Sequence, residues 1–211
     1  ARDIKKAESA KAKAALSVKA ASIAERLVSA DYSMLETCVA ESDLIFEAVF
    51  EDMEIKKQVA EMVSNAMKPD AIACSGTSGL SITTLAEQYP EHLRSRFFGV
   101  HMFNPPYSLN LCELTPTKYS DMNLCNELGG DLQNVLFRTV VLVKDSPAFL
   151  GNRIGFQFIN EVMQYAEKYK YSGGIDYMDA ILGSFSGRSM TPLVTADFVG
   201  LDIHKAIIDN L

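Results

Sequence analysis

No run of apolar residues in this 211-residue chain approaches the ~20 needed to cross a bilayer, so no membrane-spanning helix is expected. The lysine-rich beginning has no apolar segment of the kind a secretory signal carries. The cysteines Cys38, Cys74, Cys112 and Cys125 are scattered, without the C-x-x-C pairing of zinc sites and redox dithiols, so no metal site is expected. A reducing, intracellular setting is the corresponding expectation. Nucleic-acid binding motifs are missing too, and the net charge of -7 argues against that class of partner. The sequence also has no G-x-G-x-x-G; Gly129-Gly130 and Gly173-Gly174 read as isolated turn glycines, with no strand-to-helix context behind them.

What is present is an ordinary globular composition, 48% hydrophobic and 22% charged, in a length that suits one generous domain or two small ones. Charge is uneven. Residues 1–30 carry Arg2, Lys5, Lys6, Lys11, Lys13, Lys19 and Arg26 against Asp3, Glu8 and Glu25, so this segment is basic and the remainder strongly acidic. A solvated helix face is the plain reading; a basic surface toward an anionic ligand is the sharper one.

Residues 3–27 are rich in Ala, Lys and Glu and free of Gly and Pro, which predicts a helix with a weak alanine face. Strand and helix patterns then alternate. Residues 44–50 and 71–75 read as strands. Between them lies a helix whose Ile55, Val59, Met62, Val63 and Ala66 share a face, ended by Pro69. Residues 81–88 read as a helix capped by Ser81, and 96–102 and 109–114 as strands separated by the Asn104-Pro105-Pro106 break. A helix over 121–135 and a strand over 139–144 follow. Such alternation predicts a parallel sheet covered on both faces. Beyond Pro147 only helices are expected, the longest over 149–169 with Ile154, Phe158, Val162, Ala166 and Tyr169 on one side. The expected fold class is therefore α/β, a doubly wound sheet in residues 1–145, followed by a smaller all-α unit in 146–211. A doubly wound nucleotide-binding half opens with strand, glycine loop and helix. This chain opens on a helix, so either the fold differs or its first βαβ unit is absent.

Four polar residues stand near expected strand ends. Ser78 sits in a Gly-flanked turn after a strand, at the edge where parallel sheets bind ligands, although a serine there is most often a cap or turn former. His101 ends a strand, where a lone histidine is usually structural. Glu113 lies inside the apolar run Leu111-Cys112-Glu113-Leu114, an expensive place for an acid without a partner. His101 is the nearest candidate partner, and a His–Glu pair fixes the imidazole tautomer in a way that suits a general base. Asn152 opens the long helix and could cap it or bind a ligand.

The stretches Ser42-Asp43-Leu44-Ile45-Phe46-Glu47-Ala48-Val49-Phe50-Glu51-Asp52, Gly76-Thr77-Ser78-Gly79-Leu80-Ser81-Ile82 and His101-Met102-Phe103-Asn104-Pro105 with Glu113 occur in a distinctive order. They continue with Val143-Lys144-Asp145-Ser146-Pro147, Gly151-Asn152-Arg153 and Ala196-Asp197-Phe198-Val199-Gly200-Leu201-Asp202. From about residue 42 to the end the chain resembles the 3-hydroxyacyl-CoA dehydrogenase family. The resemblance implies a Rossmann-like domain without its glycine-loop unit, half of a helical dimerisation domain, and NAD-dependent oxidation of a 3-hydroxyacyl-CoA, or the reverse. It implies an acyl-CoA substrate and a homodimer, in the cytoplasm or, in a eukaryote, the mitochondrial matrix. Family roles fall on His101 as base, Glu113 as the acid orienting it, and Ser78 and Asn152 as substrate-binding residues. Ala48, Glu51, Lys56, Ser78 and Asn104 match cofactor-lining positions. Departures are Gly76-Thr77-Ser78-Gly79 where the family usually has Asn-Thr-Ser-Ser, Pro106-Tyr107 for Val-Pro, and Thr191-Pro192 for Gly-Pro. Without the glycine loop these 211 residues are expected to bind NAD poorly and to be inactive alone.

Overall fold

A computed structural model describes residues 26–188 and 190–209. The basic helix expected over 3–27 therefore falls almost wholly outside the described residues. The α-helices and strands among the described residues are α1 (Leu35–Glu41), β1 (Leu44–Glu47), α2 (Met53–Ala66), β2 (Ile72–Ser75), α3 (Ile82–Ala86), β3 (Phe97–Met102), β4 (Leu111–Thr115), α4 (Met122–Asn134), β5 (Thr139–Leu142), α5 (Gly151–Lys168), α6 (Gly174–Leu182), α7 (Pro192–Val199) and α8 (Leu201–Ile208).

The strands form one sheet in the order β1-β2-β3-β4-β5. Pairing is parallel for β1 with β2, β2 with β3 and β4 with β5, but β3 and β4 run antiparallel, with His101 opposite Glu113. The expectation of an all-parallel sheet is corrected here. A crossover between parallel neighbours needs a dozen or more residues, whereas only eight separate β3 from β4. The short link leaves β4 no route but to turn back along β3.

Each face of the sheet has its own core. On one, Val59, Ala60 and Val63 of α2 and Ile82, Leu85 and Ala86 of α3 pack with Ala73 and Phe97. On the other, Cys125, Leu128 and Leu132 of α4 cover Cys74, Phe98, Val100, Cys112 and Leu114. Gly129 and Gly130 thus lie inside α4 rather than in a turn, and a Cβ at Gly129 would come within 3.4 Å of the Leu114 side chain. Gly173 and Gly174, at φ 106° and 50°, do mark a turn, at the start of α6.

Two helix faces are rotated from their expected positions. In α2 the buried stripe is Lys56, Val59, Ala60 and Val63, while Ile55 and Met62 are exposed. A lysine enters the stripe because an acid waits for it beneath. In α5 the buried residues are Phe156, Ile159, Val162 and Ala166, leaving Ile154 and Tyr169 exposed. The strand expected over 44–50 stops at Glu47, because the Val49 N–H donates to the Glu47 side chain at 2.7 Å.

Candidate active site

The carboxyl ends of β1, β2 and β3 meet at one edge of the sheet, and the start of α5 reaches the same edge. His101 is the fifth residue of β3, and Glu113 faces it from β4. Nδ1 of His101 lies 2.7 Å from Oε2 of Glu113, with the two residues 5% and 1% exposed. The other carboxylate oxygen, Oε1, accepts hydrogen bonds from the Leu150 N–H at 2.9 Å and the Gly151 N–H at 2.7 Å, at the N-terminus of α5. That terminus favours negative charge.

Burial drives the Glu113 carboxyl pKa up, but the hydrogen bonds from His101, Gly151 and Leu150 outweigh it and hold the group below its ordinary value. Glu113 is therefore a carboxylate, acceptor only, and His101 Nδ1 must be the donor. The proton-free nitrogen of the neutral ring is then Nε2, which has no hydrogen-bond partner among the described residues. Phe103 and Phe149 flank the ring, with centroids 4.6 and 5.8 Å away.

A second polar network lies beside the first. Lys56, 3% exposed, donates to Oε1 and Oε2 of Glu47 at 2.8 and 3.0 Å and stands 3.4 Å from Oε2 of Glu51. The Ser75 hydroxyl donates to Glu47 at 2.6 Å. Glu51 in turn accepts from the Thr77 hydroxyl at 2.5 Å and the Ser78 N–H at 3.0 Å. The Thr77 oxygen accepts from the Leu80 N–H at 3.0 Å. Ser78 and Gly79 are exposed, and no atom of the described residues lies within 4 Å of where a Cβ at Gly79 would stand. The result is an open, polar shelf over the strand ends.

The structure thus joins His101 to Glu113, Glu113 to the residue before Asn152, and Glu51 to Lys56 and the Ser78 amide. The Asn104 and Asn152 side chains make no hydrogen bond among the described residues, and Ala48 is simply exposed beside Glu47. Sequence reasoning missed Glu47, Ser75 and Thr77. Glu47 carried the same signal as Glu113, an acid closing the apolar run Leu44-Ile45-Phe46, with Lys56 nine residues on. Among the described residues no group of three or more His, Cys, Asp or Glu is placed to hold a metal ion.

Comparison with known proteins follows the same outline. The family model for the NAD binding domain of 3-hydroxyacyl-CoA dehydrogenase matches residues 1–146. A probable 3-hydroxyacyl-CoA dehydrogenase of Bacillus subtilis is 35% identical over 172 residues, which are 81% of this chain and 22% of that protein. The 3-hydroxybutyryl-CoA dehydrogenase of Bradyrhizobium diazoefficiens is 34% identical over 175 residues, 82% of this chain and 57% of that protein. Among solved structures, the (S)-3-hydroxybutyryl-CoA dehydrogenase of Ralstonia eutropha superposes with a TM-score of 0.74 at 26% identity, covering 83% of this chain and 60% of that one. The chain therefore spans about half, or less, of the length of the curated relatives it matches.

Proposed function

Since the chain belongs to the 3-hydroxyacyl-CoA dehydrogenase family, we propose that it supplies the catalytic groups for NAD-dependent oxidation of (S)-3-hydroxyacyl-CoA to 3-oxoacyl-CoA, or the reverse, in fatty acid or butanoate metabolism. The observation that carries this reading is the buried His101–Glu113 pair at the ligand-binding edge of the sheet.

In this reading His101 Nε2 takes the proton of the substrate's 3-hydroxyl, and the Glu113 carboxylate stabilises the imidazolium that forms. Glu113 is itself fixed by two backbone amides, so the ring keeps one orientation throughout. Ser78 and Asn152 hold the substrate oxygens and so aim the C3–H bond, an orientation effect that supplies much of the rate in such reactions. Phe103 and Phe149 keep water from the ring's flanks.

The shelf fits the nicotinamide half of NAD. It offers Glu51 as a hydroxyl acceptor, Lys56 as a buried cation behind it, and the open positions at Ala48, Ser78 and Asn104. NAD held on this shelf would supply the hydride acceptor. For the pyrophosphate these 211 residues hold no glycine loop. We therefore propose residues 1–145 as a partial cofactor-binding unit, and 146–211 as a helical unit that pairs with a second copy. The helical unit exposes the apolar side chains of Ile154, Ile175, Phe185, Phe198 and Leu201, which a partner's surface would cover. A dimer mass by light scattering is the expected result; a monomer at high concentration counts against this pairing.

The test of the activity is reduction of acetoacetyl-CoA by NADH, in the protein as its gene encodes it. His101→Ala should lower turnover by about 10²–10⁴-fold while the circular dichroism spectrum stays unchanged. No activity before the substitution would favour a binding or structural role instead.

A further inference from the structure

The joint between the sheet and α5, residues 145–151, carries a side chain that the reaction above leaves unused. The Asp145 carboxylate accepts hydrogen bonds from the Ser81 hydroxyl at 2.9 Å, the Ile82 N–H at 3.0 Å and the Thr83 N–H at 2.8 Å. These amides open α3, where a helix leaves its N–H groups without partners of its own. The start of α3 is thus closed by a residue more than sixty positions further along the chain.

Ser78 lies three residues before Ser81. The near end of its loop is held by Glu51, through the Ser78 N–H and the Thr77 hydroxyl. The far end is held by Asp145. Two carboxylates, from different parts of the chain, therefore span the loop that carries Ser78.

Asp145 is equally tied to the other half of the site. Between it and α5 the backbone passes through Ala148 at φ 58° and Phe149 at φ 48°, both left-handed and both buried. Side-chain-bearing residues rarely adopt that region, and two in succession persist only where their surroundings hold them. Upstream, the hold is Asp145 on α3. Downstream, it is Glu113, which accepts the Leu150 and Gly151 amides immediately before Asn152.

We propose that Asp145 is a positioning residue for the reaction, clamping the Ser78 loop to the joint that sets Asn152 and the His101–Glu113 pair. The proposal rests on the dehydrogenase reading. Asp145 makes no hydrogen bond to His101, Glu113 or Asn152, so it moves no proton; it sets the distance between groups that hold the substrate. Displacement of such groups by about 1 Å can cost 10²-fold in rate.

The experiment is steady-state reduction of acetoacetyl-CoA by NADH in the protein as its gene encodes it, comparing the unmodified protein with Asp145→Ala and Asp145→Asn. Rates are referred to the folded fraction measured by circular dichroism. In Asp145→Ala kcat should fall about 10- to 100-fold. KM for NADH should stay within about two-fold, and the pH–rate profile should not move. Asp145→Asn, which keeps one acceptor oxygen, should fall between. A kcat within two-fold of the unmodified value in a folded variant overturns the proposal, and so does a displaced pH profile. Failure of both variants to fold also overturns it, since the residue is then purely structural. An inactive unmodified protein sinks the dehydrogenase reading instead. In that case the proton magnetic resonance of the His101–Glu113 hydrogen bond, assigned by its loss in Glu113→Gln, still decides whether Asp145 orders the site. A shift in Asp145→Asn supports the clamp, and an unmoved signal overturns it.

Discussion

Burial and hydrogen bonding pull the Glu113 carboxyl in opposite directions, and the hydrogen bonds win. Its folded pKa lies below the ordinary value of 4.5, so the unfolded chain takes up the proton first as acid is added. The stabilisation is complete above that ordinary value and is lost as pH falls through the lower folded one. Glu113→Gln should therefore lower the urea midpoint at pH 7, by about 1–3 kcal/mol in stability. It should also flatten the fall in that midpoint below pH ~4.5; an equally steep fall in the variant would contradict the assignment. Glu113 was legible in the sequence because an acid inside an apolar strand needs a partner and His101 stood nearby. Glu47 posed the same question, yet its answer, Lys56, stood out only as a match to a cofactor-lining position and not as a partner for the acid. Periodicity counts lysine as polar, and only the contact across β1 and α2 shows it inside. Asp145 was legible only as part of a resemblance, because its three donors lie more than sixty residues away.

Among the elements, those with strong punctuation were readable. Ser81 caps α3, its hydroxyl accepting from the Thr84 N–H at 3.2 Å, and Asp52 and Asp121 cap α2 and α4 in the same manner. The short α1 was not seen: its seven residues bury only Val39, too little for a periodic pattern. The direction of β4 was likewise hidden, since alternation of strands and helices says nothing of the one link that lacks a helix. The joint before α5 is the element whose backbone is most at odds with its residues. Left-handed backbone costs an ordinary side chain roughly 1–2 kcal/mol, whereas glycine's extra freedom in the unfolded chain costs ~0.5–1 kcal/mol. Ala148→Gly should then hold or raise the melting temperature. Calorimetry showing a drop of several degrees would remove the strain from this account.

At the scale of the whole molecule, the group through which acid acts on the helical unit is a buried histidine rather than a carboxylate. His204 of α8 is 5% exposed, packs 5.2 Å from the Phe156 ring, and neither ring nitrogen has a hydrogen-bond partner among the described residues. Burial lowers its pKa from the ordinary 6.5, so the folded state resists a proton that the unfolded chain accepts. The contribution is full above 6.5 and fades as pH falls through the lower folded value. Loss of stability as pH falls below 6.5 should therefore shrink in His204→Leu, read as melting temperature against pH; unchanged slopes would place the titrating group elsewhere. In the carboxyl-terminal part the sequence announced helices and, in α5, the burial of Val162 and Ala166, but Ile154 and Tyr169 are apolar and still face outward.

The antiparallel match of β3 with β4 has a consequence for how this protein tolerates change in length. Side chains alternate between faces along a strand, so a one-residue slip would put His101 and Glu113 on opposite sides of the sheet. A residue inserted within β4 breaks the pair by geometry alone, whatever its identity. One inserted in the turn at residues 106–109 only lengthens the turn. Gaps among natural and engineered variants should therefore collect in that turn and be absent from the five residues of β4.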